Sequence, residues 1–230
     1  MIDIPRAFTY IFDDPDWVSK AIVTAIVSVA STLLTPFLIG LVGWTMLLGY
    51  QVELVRNVRL GYPRPLPAWN DFGRYLSLGT GPLVAFVAYN VPNLLLGFVS
   101  LLIAGNAGEG LLSGGLIMTL TCCLLPILLV YNLLIQPLFA LGLGRYADEP
   151  TVGVFFEFGV LIAALRAHRD ATIQWVLGMI IASLVYSLLG VVPCLGWLAI
   201  AAVSVPISGS LTGQLAAAAL GKAKAKPKRA

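Results

Sequence analysis

Between Glu109 and Arg145 the chain carries no charged side chain. As a helix, such a stretch is longer than the about 20 apolar residues needed to cross ~30 Å of hydrocarbon. Other apolar runs separate the remaining charges, which are clustered. Only 11% of the 230 residues are Asp, Glu, Lys or Arg. A soluble domain carries roughly 25%, because water must wet its surface. Mean hydropathy is +0.91. These features exclude a water-soluble globule and specify a multipass helical membrane protein.

The runs predict one polytopic domain over residues 1–220, with spans at about 17–34, 41–59, 82–104, 111–143, 171–191 and 193–220. A basic tail at 221–230 is expected to be disordered. A single helix from Trp17 to Arg59 would be about 64 Å long, so Pro36, Gly40 and Gly43 are expected to turn the chain back. Pro126 and Pro137 are candidate kinks in the fourth span. Connections 35–43, 105–110 and 191–194 contain no Lys or Arg, and all 14 basic residues fall on the other side. Positive charge stays cytoplasmic. The expected location is therefore the cytoplasmic (inner) membrane, with both termini cytoplasmic. The acidic N-terminus, with Asp3, Asp13, Asp14 and Asp16, does not read as a signal peptide.

Three segments of mixed apolar and charged character precede the hairpins: Ile4 to Asp14, Trp69 to Leu78, and Val152 to His168. Each is expected to be an amphipathic surface helix at the cytoplasmic interface. The alternative is a solvated loop helix. The fold expected is thus all-α: six transmembrane helices as three hairpins, each preceded by a surface helix.

The most distinctive stretch joins the second and third spans. It contains Gly49-Tyr50, Arg56, Gly61, then Leu66-Pro67-Ala68-Trp69-Asn70-Asp71. Pro63, Pro65 and Pro67 hold extended backbone. Asn70 or Asp71 is placed to cap the next helix. Trp69 is expected at the membrane interface or against a surface helix, with Arg56 and Arg59 within reach of Asp71. These residues, with Phe8-Thr9-Tyr10, Asp14-Pro15-Asp16-Trp17 and Gly213-Gln214-Leu215, resemble an uncharacterised prokaryotic membrane-protein family, domain of unknown function 4013. The resemblance covers nearly the whole chain. It implies a multipass fold and no established activity, and it marks Gly49, Tyr50, Arg56, Pro65, Pro67, Trp69 and Asp71 as family-motif residues. The residue after Pro67, often acidic in that family, is Ala68 here.

No ionisable residue is expected near the midplane, which argues against ion-coupled transport. The mid-membrane polar groups are Asn90, Asn93, Tyr131, Asn132 and Gln136, of which Asn90, Asn93, Asn132 and Gln136 are the candidate binding residues. They read either as interhelical glue or as the lining of a small polar cavity. Gly209 and Gly213 form a small-residue face for packing within the bundle or for a second subunit. Lys222, Lys224, Lys226, Lys228 and Arg229 are expected to attract anionic lipid headgroups, at ~1 kcal/mol each. Nucleic acid is not an expected partner. Cys122 and Cys123 read as buried apolar residues. One histidine, the adjacent Cys122 and Cys123 and a lone Cys194 form no ligand spacing, so no metal and no cofactor are expected. No nucleophile–base set is visible. The functional expectation is a non-enzymatic scaffold, accessory or lipid-binding component whose partners are membrane lipids and other membrane proteins. Its alternative is a passive transporter or lipid-translocating protein, favoured by a lipid-width groove between hairpins.

Overall fold

A computed structural model describes residues 2–106 and 111–222. The described residues form helices and turns, with no strand: α1 (Ile4–Thr9), α2 (Trp17–Leu34), α3 (Gly40–Leu60), α4 (Phe72–Asn106), α5 (Leu111–Tyr146), α6 (Phe158–Ala167), α7 (Arg169–Gly190) and α8 (Leu195–Leu220). Short 3-10 turns lie at Tyr10–Asp13, Thr35–Phe37 and Val152–Phe155. Of the turn expected at 105–110, residues 105 and 106 are the end of α4, while residues 107–110 and the tail residues Lys224, Lys226, Lys228 and Arg229 lie outside the described residues.

Five segments are long and apolar enough to cross a membrane: Trp17–Phe37, Phe72–Ile103, Cys122–Tyr146, Arg169–Gly190 and Leu195–Leu220. The chain is therefore all-helical, with the architecture of a membrane protein. The segment at 41–59 is also helical, as α3. Its second half carries Gln51, Glu53, Arg56, Asn57 and Arg59, so it falls short of the other five in apolar character.

Local chemistry explains the boundaries. The α2 helix ends before Pro36, and Leu38 takes a left-handed φ of 62°. A Cβ on Gly43 would overlap the Ser31 hydroxyl, so α3 returns closely along α2. At the other end of α3, Gly61 adopts φ 74° and donates its N–H to the Asn57 and Val58 carbonyls. This left-handed stop suits glycine, which has no Cβ to clash. Asp71 caps α4: its Oδ1 accepts the Arg74 N–H at 2.9 Å. Asp3 does the same for α1 through the Arg6 N–H.

Two of the expected surface segments differ from expectation. Residues 72–78 are the first turns of α4, continuous with the span. No breaker separates them from it: Pro82 lies within the helix and interrupts only one backbone bond. The 152–156 segment inserts into the bundle, with Phe155 fully buried. Its ring stacks on Phe139 at 5.6 Å, in space that Gly142 leaves open.

The α8 helix is a central element, packing on α2, α3, α5 and α7. Gly209 and Gly213 face α3, where Cβ atoms would fall 2.6 Å from Leu54 and Val58. That small-residue face is filled within the chain by α3. Cys122 and Cys123 are exposed, not buried, on the apolar surface of α5.

Candidate functional site: the loop-end platform and the furrow beside it

At one end of the bundle the 61–71 loop folds back between α2, α3 and α4, and its backbone is pinned residue by residue. Asn57 Nδ2 of α3 donates to the Pro65 carbonyl at 2.8 Å. Lys20 Nζ of α2 donates to the Leu66 carbonyl at 3.1 Å. The Tyr75 hydroxyl of α4 donates to the Ala68 carbonyl at 2.6 Å. Prolines 65 and 67 cannot donate, so their stretch would otherwise hold carbonyls without partners.

Trp69 sits inside this platform, half-buried against other helices and not on a surface helix. Its ring stacks on Tyr50 at 4.5 Å and 7°, and Tyr75 closes edge-on at 5.3 Å. Its Nε1 donates to Thr24 Oγ1 at 3.0 Å. Gly49 lies against the Tyr75 backbone, where a Cβ would fall 1.9 Å from the carbonyl oxygen. The structure thus brings Gly49, Tyr50, Pro65, Pro67, Trp69 and Asp71 together.

The arginines behave differently from expectation. Arg59 turns to a pair of connections far away in sequence. It reaches Asp148 at 2.8 Å, the Gly144 carbonyl at 2.6 Å and the Gly221 carbonyl at 3.2 Å. It thereby gathers the carbonyl ends of α5 and α8, where helix dipoles favour a cation. Arg56 is buried, forms no ion pair among the described residues, and its Nε has no hydrogen-bond partner. Asp71 is taken up by its cap, while Arg74 pairs with Glu53 at 2.7 Å.

Asp14 and Lys20 form a second buried tie at 2.6 Å. Burial alone would raise the Asp14 carboxyl, but the hydrogen bonds from Lys20 and the Asp16 N–H, with nearby positive charge, hold it below its ordinary value. Both described chain ends reach this same end of the bundle. Gln174 accepts the Ile2 N–H at 2.7 Å; Gln214 accepts the Asp3 N–H at 2.6 Å and donates back to the Asp3 carbonyl.

The four candidate polar residues divide. Asn93 and Asn132 exchange amide hydrogen bonds between α4 and α5 at 3.0 and 3.1 Å, and Asn90 accepts a further one from Asn93. Gln136 instead lines a cavity of about 720 Å³ between α5 and α7, with Asn132, Trp175, Met179, Ser183 and Ser187. A second cavity of about 520 Å³ adjoins it, lined by Leu134, Ile162, Arg166, Arg169, Thr172 and others. Leu133 and Val176 line both, so the two form one furrow. Sequence reasoning identified two of its polar residues, but not the furrow. It arises because α5 and α7 each pack on α8 and barely touch each other. Only the Arg166 and Arg169 pair beside an apolar run signalled it. Among the described residues no His, Cys, Asp and Glu cluster has the makings of a metal site.

Residues 32–196 match the model of the family described as "Protein of unknown function (DUF4013)". The match covers more than half of the chain, so the chain belongs to that family. No curated protein and no solved structure matches it significantly.

Proposed function

We propose that this family member is a non-enzymatic, multipass accessory or scaffold component of the cytoplasmic membrane that binds lipid laterally. The reading includes six spans in three hairpins, α3 being the sixth, and both termini on the cytoplasmic side. The observation that carries the lipid-binding part is the furrow between α5 and α7. It is lined chiefly by apolar side chains and lies between helices that carry exposed leucines and isoleucines. An ion carrier would call for charged groups deep within the furrow, whereas its charged lining residues, Arg166 and Arg169, stand at one mouth. The topology draws support from the connections 35–43 and 191–194, which hold no basic residue.

Two measurements test it. Single cysteines at Leu38 and Arg64, which flank α3, should label from opposite sides of the membrane in a cysteine-free chain. Labelling of both from one side would sink the six-span arrangement. Mild-detergent purification should retain phospholipid in stoichiometric amount; a lipid-free, stable protein would remove the lipid-binding reading.

Lipid translocation is the second reading, and the furrow's length favours it. Along α7 from Arg169 to Ser187 it runs ~27 Å, close to the ~30 Å hydrocarbon thickness. Reconstitution with a fluorescent phospholipid decides this. Translocation requires that inner-leaflet label become accessible to an impermeant reductant faster than in empty vesicles.

A further inference from the structure

The furrow is not uniform along its length. Its middle is lined by leucine, isoleucine and methionine with scattered amides and hydroxyls. One mouth, where α6 crosses between α5 and α7, carries Arg166 and Arg169. Neither guanidinium is absorbed by the fold. Arg166 has no ion pair among the described residues. Arg169 stands 3.9 Å from Asp170, and both of those side chains are more than four-fifths exposed. Such a pair interacts weakly through water, which leaves the mouth net positive. His168, at the α6–α7 corner, is also exposed.

Leu133 and Pro137 line the same mouth. Just beyond, Leu133 and Val176 continue the apolar wall into the larger cavity. The furrow thus offers two cations at one end and a long apolar trough leading away from them. That is the complement of an amphiphile with an anionic head.

We propose that this furrow is a binding site for one anionic diacyl phospholipid. The headgroup phosphate is held by Arg166 and Arg169, and the acyl chains lie over Leu133, Leu134, Ile173 and Val176. Guanidinium suits this role because its planar fork matches two phosphate oxygens at once. The trough from the level of Arg169 to Ile180 is ~16 Å long, matching one leaflet's half of the ~30 Å hydrocarbon. The proposal rests on the lipid-binding reading above and specifies its headgroup, its position and its residues.

Native mass spectrometry of the full chain in mild detergent, titrated with phosphatidylglycerol or phosphatidylcholine of the same acyl composition, tests it. One phosphatidylglycerol should bind about tenfold more tightly than phosphatidylcholine. Arg166→Gln with Arg169→Gln should abolish that preference and leave residual binding of both lipids. Leu133→Trp fills the junction of the two cavities from an exposed position, and should weaken both lipids while keeping the headgroup preference. Thermal melting in detergent confirms that each variant is folded. Equal affinity for the two lipids, or adducts unchanged by both variants, overturns the site and leaves the broader lipid-binding reading intact. Failure of both lipids to bind the wild-type chain overturns both. Inorganic phosphate binding at the arginines without any lipid adduct would assign them to a soluble anion, against the proposal.

Discussion

Helices α3 and α4 are packed against each other, yet they follow opposite rules. The α3 helix holds Gln51, Glu53, Arg56, Asn57 and Arg59 and buries Tyr50, Arg56 and Arg59. The α4 helix is apolar over most of its length, and only 6% of its apolar window is buried. In water this would be inverted. In a bilayer the apolar side chain gains little by turning inward, because lipid tails are as apolar as leucine. What must turn inward is the polar group, which needs partners. Here α3 is the helix whose Gln51, Glu53, Asn57 and Arg59 find partners on other elements, and α4 is the helix that turns its apolar side chains outward.

The strongest way to break this contrast is to remove Arg59. Arg59→Met strands Asp148 and the Gly144 and Gly221 carbonyls, and should cost about 3 kcal/mol or more. A large fall in detergent melting temperature is expected, with loss of folded protein on mild heating. An equal change at Arg74, half-exposed and paired with Glu53, should cost ~0–1 kcal/mol.

Two glycines of α4 sharpen it. A Cβ on Gly79 would lie 1.7 Å from the Thr45 carbonyl oxygen, whereas nothing lies within 4 Å of one on Gly97. Gly79→Ala should destabilise by about 1–3 kcal/mol through forced separation from α3. Gly97→Ala should stabilise by up to about 1 kcal/mol through helix propensity. Opposite signs on one helix are the expected result; equal melting temperatures would refute the close crossing.

Trp69→Phe keeps an aromatic ring beside Tyr50 and removes the N–H donated to Thr24 Oγ1, whose hydroxyl keeps its own bond to the Lys20 carbonyl, for about 1 kcal/mol. Acid should act through Asp14. Its depressed folded-state value means that the carboxylate form binds Lys20 more strongly in the folded chain. The Asp14 contribution is therefore complete at neutral pH and is lost as pH falls below the ordinary carboxylate value and through the depressed one. Asp14→Asn should flatten the acid limb of the stability profile. The smallest effect is expected from Asn93→Leu with Asn132→Leu, ~0.6 kcal/mol per interhelical bond.

What can be read from the residues follows the same division. The break after Leu34, the left-handed stop at Gly61 and the Asp71 cap are local events, and local chemistry announces them. Counting outward along neighbouring helices brings Asn90 toward the level of Asn132, but the pair that forms is Asn93 with Asn132. The partners of Arg59 follow from no such count, because they lie 85 and more residues away and depend on how three helix ends converge. The general preference of tryptophan for an interface says nothing of the Tyr50 and Tyr75 rings that hold Trp69. Tyr50 belongs to the same motif set, yet nothing in its neighbours marks its ring as the stacking surface for Trp69. That pairing depends on how the 61–71 loop folds back onto α3. The burial of Phe155 needs the space at Gly142, which a periodicity argument does not supply. The furrow is a gap between elements, and no residue names a gap.

The position of α8 has a consequence for synthesis. It is made after the seven helices before it, yet it supplies Gln214 to the backbone of Asp3 and the Pro206 carbonyl to the Tyr10 hydroxyl, and the Gly221 carbonyl at its end reaches Arg59. It also fills the face of α3 with Gly209 and Gly213. Until α8 leaves the ribosome, the N-terminal segment has no anchor on it and Arg59 lacks one of its acceptors. Domains generally form in order from the N-terminus as they are translated. This chain instead defers its closure, so a nascent form stalled before Leu195 would hold its earlier helices in lipid with their inward faces unpaired. Unpaired faces of that kind are prone to mispairing and aggregation, and the arrival of α8 is what closes them.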